Sequence, residues 1–147
     1  QLKDAYQKTM HHEFAHILHQ TKNYSTEYQN ITGKDYIGDD WNSNSQTEAL
    51  ARSKGFISRY ARYSADEDFV EMISIFVTRE QDSWEAMLEA SNTVAEGNKD
   101  TGKALLEQKF EIVKDYLKNS WGIAIYELRS VVQRRGNSLD QLDLTQI

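Results

Sequence analysis

Three observations predict a mainly α-helical protein. Apolar residues recur at intervals of three and four along most of the chain, which is the period of an amphipathic helix. Polar segments separate these stretches, and the chain contains no proline. The length of 147 residues suits one domain with a sizeable core. We therefore expect a single helical domain over residues 1–147.

The first helix, over residues 2–20, carries the most informative motif. It contains His12-Glu13-x-x-His16, and residues four apart lie on one helix face, so both imidazoles can bind one zinc ion. Glu13 then stands beside the metal, where a carboxylate can take a proton from zinc-activated water. The helix also has an apolar set that predicts a core-facing stripe, namely Leu2, Tyr6, Met10, Phe14, Ile17 and Leu18.

Two further histidines flank this motif. His11 lies to one side of the metal face, so we expect it either to support a ligand from behind or to lie on the surface. His19 lies about 10.5 Å along the helix axis from His12, too far for it to join both motif histidines on one ion. A purification tag or a histidine-rich surface helix is a weaker interpretation, because three other residues interrupt the histidines. The metzincin pattern fails, since it requires glycine and histidine where His19 and Lys22 stand.

Residues 21–45 predict a long polar loop, with Gly33 and Gly38 as turn points. A loop of this length should be functional or packed by its own side chains. Its aromatic residues either line the rim of a cleft or fix the loop to the core, and the sequence favours neither role. They are Tyr24, Tyr28, Tyr36 and Trp41. A short helix over residues 46–53 follows and is broken by Gly55.

The third metal ligand is expected on the next helix, over residues 65–79. Glu67 and Glu71 lie four apart near its start, so one can bind the metal while the other accepts a hydrogen bond from a ligand histidine. Ser64-x-x-Glu67 is also a capping box, which explains acidic residues there without any metal. The motif upstream favours a metal-site role for at least one of the two glutamates.

The remaining helices are expected to support the site by packing alone. Asp82 or Ser83 should cap a helix that ends near Gly97, and a further helix should close at Trp121 and Gly122. The apolar positions of that further helix are Leu106, Phe110, Val113 and Leu117. A last short helix should precede a polar tail over residues 138–147.

These motifs together resemble the gluzincin class of zinc peptidases, and in particular the branch that includes anthrax lethal factor. Tyr60, Glu67 and Glu71 match the tyrosine, ligand glutamate and second acidic residue of that branch. The resemblance implies that Glu67 is the third zinc ligand, that Glu71 supports the ligands, and that Tyr60 donates to the oxyanion. Tyr63 is the runner-up for the role of Tyr60. The class also places a small sheet before the first metal helix, so the chain is expected to be the C-terminal part of a longer protein.

Several segments resemble more closely the substrate import-associated zinc metallohydrolase lipoproteins of Bacteroidetes-type bacteria. This resemblance implies a lipid-anchored precursor in the cell envelope, at the periplasm or cell surface, and partners in an outer-membrane nutrient-import system. The segments are residues 11–20, Ile31-Thr32, Tyr36-Ile37-Gly38, Trp41, Gly55-Phe56-Ile57-Ser58 and residues 67–71.

Composition narrows the chemistry. The chain has no cysteine, which leaves histidine and carboxylate as metal ligands, and its net charge of −6 argues against nucleic acid as a partner. No window is apolar enough to span a bilayer, so the chain itself is expected to be soluble. We predict a zinc-dependent metallopeptidase that acts on a peptide or protein. The alternatives are a zinc-retaining, non-catalytic component of a nutrient-import system and a helical interaction domain without metal.

Overall fold

The computed structural model describes the backbone of residues 2–146 and the side chains of residues 8–137. Within these residues the chain is helical and forms no strand, which confirms the predicted fold class. Three short 3₁₀ helices lie at Gly33–Asp35, Gly38–Asn42 and Tyr60–Tyr63. The α-helices are α1 (Leu2–Thr21), α2 (Glu27–Ile31), α3 (Glu48–Ser53), α4 (Ala65–Thr78), α5 (Gln81–Ala90), α6 (Gly102–Trp121) and α7 (Ile125–Gln146).

Helix α4 lies at the centre of the fold. It packs against α1, α2, α6 and α7, and every side chain from Asp68 to Val77 is buried. Its first turn is fixed by Ser64, whose hydroxyl oxygen accepts a hydrogen bond from the backbone N–H of Glu67 at 3.2 Å. The Glu67 side chain does not complete a capping box, because it points toward α1 instead. The cap therefore sets where α4 begins and leaves the Glu67 carboxylate available.

The segment predicted as a loop at residues 21–45 contains α2 and two of the 3₁₀ helices. Its aromatic side chains divide between the two predicted roles. Tyr28 is fully buried, and Tyr24 and Tyr36 pack against the core. Trp41 instead lines a surface cleft, with its ring against Tyr60. This segment thus fills the core with three aromatic residues and contributes the fourth to the cleft.

The predicted core-facing stripe of α1 is wrong in direction. Met10, Phe14 and Ile17 are 46%, 50% and 59% exposed, whereas Leu18 and Ala15 are buried. The helix is oriented by its polar contacts to α4, which bring the histidine face inward and leave the other apolar residues outside. The side chains of the two remaining members, at positions 2 and 6, lie outside the described residues.

Two helix ends also differ from expectation. Helix α5 begins directly after Glu80 and ends at Ala90, so neither Asp82 nor Ser83 caps it and it does not reach Gly97. Its last turn closes early because the Ser91 hydroxyl donates to the carbonyl of Met87 at 2.8 Å.

Helix α7 is long rather than short and continues through the predicted polar tail to Gln146, since no proline stops it. Among the described residues, no helix has the length and apolarity that crossing a membrane requires.

Candidate metal centre

Helices α1 and α4 bring the three predicted metal ligands together. The Nε2 atoms of His12 and His16 are 3.2 Å apart, one helical turn from each other on α1. The Glu67 carboxylate of α4 reaches both, at 3.1 Å from Nε2 of His12 and 2.9 Å from Nε2 of His16. Three potential ligand atoms from residues far apart in sequence therefore converge on one point between the helices.

This geometry fits a zinc ion. Zinc bound at 2.0–2.1 Å in a tetrahedral site places its ligand atoms about 3.3 Å from one another. With Oε2 as the ligand atom of Glu67, the three separations among the two imidazole nitrogens and this oxygen are 3.1, 3.2 and 3.3 Å. Two imidazoles and one carboxylate are also a donor set typical of catalytic zinc. The residues present can thus hold the metal, and three protein ligands leave a fourth position for water or substrate.

Glu71 supports His12 from behind. Its carboxylate accepts from Nδ1 of His12 at 2.9 Å, which directs Nε2 of the same ring toward the metal position. Ser58 donates to Glu71 at 2.8 Å, and Lys8 lies 3.5 Å from it. Burial opposes charge on His12, but Glu71 and then Glu67 outweigh it and raise the pKa of His12. Burial opposes charge on Glu71 as well, but the hydrogen bond with His12, the Lys8 charge and the Ser58 hydroxyl outweigh it and lower the pKa of Glu71.

His19 supports the second histidine in a similar way. It is buried, and its Nε2 lies 2.9 Å from Nδ1 of His16. When Nε2 of His16 faces a metal, Nδ1 carries the ring proton and donates a hydrogen bond to Nε2 of His19. His19 is therefore outside the group of converging ligand atoms, in accordance with its exclusion as a ligand. This contact was not predicted, although His19 follows His16 by three residues on one helix, a spacing at which side chains can meet.

The two residues predicted to act on substrate are placed differently. Glu13 is exposed, and no side chain among residues 8–137 forms a hydrogen bond with its carboxylate. Tyr60 stands at the start of a 3₁₀ helix, with its ring centroid 6.0 Å from that of His12. Burial, followed by the Glu67 carboxylate, raises the pKa of Tyr60 to about 12, which keeps its hydroxyl protonated. Tyr63 stacks on Tyr60 and is 40% exposed.

A cleft of about 930 Å³ adjoins the converging ligands. Of the residues around the metal position, His12 and Tyr60 line this cavity, together with Glu71 behind the His12 ring and Trp41. The rest of the wall comes from α1, from α3, from residues 58–59 before the third 3₁₀ helix, and from the junction of α4 and α5. The site therefore opens on one side into a cavity large enough for a small ligand or part of a peptide.

A second polar cluster, on a different side of α4, was not predicted. Asp68 is fully buried and accepts from Lys109 at 2.7 Å, from Tyr36 at 2.6 Å and from Tyr28 at 3.0 Å. Lys109 also donates to the carbonyl of Gly55 at 2.7 Å. These contacts tie α4 to α6 and to the segment after α1, and they fix the rotation of α4. Glu67 and Glu71 consequently face α1.

The helical fold and the convergent histidine and glutamate ligands define a zinc-binding domain. A family model described as "Putative zinc-binding metallo-peptidase" matches residues 1–126, and the chain belongs to this family. A crystal structure of a Bacteroides caccae protein with the same description superposes with a TM-score of 0.82 at 36% identity. The alignment covers 97% of this chain and 51% of that one, so the chain spans about half the length of this relative. No curated protein matches.

Proposed function

We propose that the chain is the catalytic core of a zinc-dependent peptidase of the gluzincin type, with His12, His16 and Glu67 as the ligands. The observation that carries this proposal is the convergence of three potential ligand atoms, from His12, His16 and Glu67, with the His12 ring at the edge of an open cleft. Membership of the metallo-peptidase family supports it and suggests a peptide or protein as substrate.

Each surrounding residue has a distinct task in this proposal. Zinc in such a site supplies a Lewis acid that acidifies water and polarises a carbonyl group. Glu13 accepts the proton of the attacking water and returns it to the leaving amine. Tyr60 keeps its hydroxyl proton and donates a hydrogen bond to the oxygen that becomes negative. Glu71 holds the ring orientation and tautomer of His12.

The cellular setting of the activity is a separate part of the proposal. The chain spans about half of its Bacteroides relative, so the activity and specificity of the whole protein include whatever the other half contributes. Location in the cell envelope and association with a nutrient-import system stay predictions from sequence resemblance. Cell fractionation, with globomycin treatment to block lipoprotein processing, tests the location and the lipid anchor together.

Glu13→Gln tests the catalytic role while leaving all three ligands in place. We expect one zinc per chain in both the wild type and the variant by plasma mass spectrometry. Hydrolysis of a fluorescent peptide library should fall at least 100-fold in the variant, because general-base catalysis contributes about 10²–10⁴-fold. Tyr60→Phe should lose about 10²–10³-fold in kcat with zinc retained. A wild type that retains zinc but cleaves no peptide contradicts the enzymatic proposal, and a chain without zinc contradicts the whole of it.

A further inference from the structure

The cleft beside the metal centre extends away from it to two arginines. Arg52 lies on α3, and Arg79 follows the last residue of α4. Both line the same cavity as His12 and Tyr60, and each is only partly exposed. We call the part lined by Arg52 and Arg79 the arginine end of the cleft.

Positive charge in this cleft is unusual for an acidic chain. The cations that line it are Lys8, Arg52, Arg59 and Arg79, and the carboxylates are Glu48, Glu71 and Glu80. One of these carboxylates is already used, because Glu71 accepts from His12 and Ser58. The other two carboxylates line the cleft together with three arginines, although the chain as a whole has a net charge of −6. Cations are thus concentrated where a substrate would lie.

The arginines differ in how far their side chains are occupied. Arg52 donates from Nε to the carbonyl of Ile57 at 3.0 Å, and its Nη2 lies 3.6 Å from Glu48. Arg59 stands over the Trp41 ring and is 3.8 Å from the same carboxylate.

Arg79 donates only to the Ser83 hydroxyl, at 3.1 Å, and no carboxylate of the described residues lies within 4 Å of it. Burial, followed by the Arg52 charge, lowers the pKa of Arg79. Its guanidinium therefore sits partly buried near a like charge, with most of its five donors unused by the described residues.

We propose that the arginine end of the cleft binds a carboxylate of the substrate, so that the peptidase acts on peptides carrying an acidic group several residues from the scissile bond. Arg79 follows Glu67 by more than three turns of α4, about 18 Å along the helix axis, which an extended peptide spans with about five residues. A guanidinium presents paired donors that match the two oxygens of a carboxylate, and a bound anion offsets the repulsion between Arg52 and Arg79. The carboxylate belongs either to an aspartate or glutamate side chain or to the C-terminus of the peptide. This inference rests on the proposed function, because a peptide bound in the cleft is a substrate only if the neighbouring metal centre hydrolyses it.

Binding of matched peptides tests the inference without requiring turnover. Short alanine-based peptides with one central glutamate or one central glutamine, both amidated at the C-terminus, measure the side-chain source. The all-alanine peptide as free acid and as amide measures the terminal source. Affinities are measured by calorimetry on zinc-loaded Glu13→Gln protein and on metal-free wild-type protein. We expect one acidic peptide to bind about tenfold or more tightly than its neutral partner.

Arg79→Gln should remove this preference and leave the affinity for the neutral peptide unchanged. Arg79→Lys retains the charge without the paired donors and should retain part of the preference. Arg135→Gln is the matched control, because it makes the same substitution at an exposed arginine outside the cleft. Circular dichroism and zinc content confirm that each variant is folded and loaded.

The inference is overturned if the protein that retains Arg52 and Arg79 binds the acidic peptides no more tightly than their neutral partners. It is also overturned if this protein binds none of the peptides. A preference that survives Arg79→Gln and Arg52→Gln also overturns it. A carboxylate preference in a protein that cleaves nothing leaves the inference standing and removes only the proposed catalytic function. The two failures are thereby distinguishable.

Discussion

Helix α4 carries two polar clusters on different sides, and they are built on opposite principles. The Asp68 cluster contains its own counter-ion, Lys109, together with two tyrosine hydroxyls that donate to the same carboxylate. The Glu67 cluster consists of a carboxylate and two imidazoles, and no lysine or arginine of the described residues lies within 4 Å of Glu67. The first cluster is complete within the protein, and its ion pair is fully buried. The second cluster brings two imidazole nitrogens and a carboxylate oxygen close together near a cleft, and a cation can bind to all three.

This difference separates a structural polar cluster from a binding one. A buried charge is stable only when protein groups satisfy it, so the Asp68 cluster should determine the stability of the fold. The Glu67 cluster should instead determine affinity for metal and contribute little to stability when no metal is bound. Four measurements test this division, in decreasing order of expected effect.

Asp68→Asn should have the largest effect, because it leaves the fully buried Lys109 charge without its partner. Breaking a buried ion pair costs about 3–5 kcal/mol of unfolding free energy, which urea denaturation measures. Asp66→Asn is the matched control, since Asp66 lies two positions earlier at an exposed site and bonds only Tyr24 among the described residues. A loss no larger than that of the control would show that the Asp68 cluster is not structural.

Removal of zinc by a chelator should lower the unfolding free energy of the wild type and leave Glu67→Gln unaffected. At free zinc 100 times the dissociation constant, binding stabilises a folded protein by about 2.7 kcal/mol. Without zinc, the two proteins should have similar melting temperatures. A chelator response of equal size in both proteins would show that Glu67 is not a ligand.

Glu71→Gln should weaken zinc about 10–100-fold without abolishing it, because the variant loses the charged acceptor of the His12 ring proton. Competition with a fluorescent zinc chelator measures this change. Glu127→Gln, at an exposed position on α7, controls for the loss of one negative charge. Complete loss of zinc in Glu71→Gln would instead make Glu71 a direct ligand.

His19→Leu should have the smallest effect, a loss of zinc affinity of about tenfold, at the lower end for such supporting residues. The substitution removes the acceptor for Nδ1 of His16, whereas His19→Gln keeps an acceptor and should recover part of the affinity. His11→Leu, on the same helix, is the control and should leave zinc unchanged. An equal loss in both leucine variants would show that the contact to His16 is unimportant.

The sequence predicted those parts of the site that depend on local spacing. His12 and His16 converge because they lie four apart on one helix, and Glu67 lies in the first turn that Ser64 caps. The Asp68 cluster could not be predicted in this way. Asp68 and Lys109 are 41 residues apart, and no local pattern relates a buried aspartate to a lysine on a later helix.

The direction of α1 was missed for a related reason. Periodicity shows that apolar residues share a helix face, but it does not say whether that face meets the core. In α1, contacts of His12 and His16 with Glu67 decide the orientation, so Phe14 and its apolar neighbours face outward. Helix ends were missed where side chains intervened, as Ser91 does at the end of α5.

The proposed metal ligands lie far apart along the chain, which affects how the fold opens when zinc is bound. His16 and Glu67 are separated by 51 residues. Closing a flexible loop of that length costs about 3.5 kcal/mol of chain entropy by the logarithmic rule. When zinc joins α1 to α4, any partly opened chain that keeps the ion must also keep this loop closed. In a protein without cysteine, the ion can therefore act as a removable cross-link, holding together two helices that would otherwise separate independently.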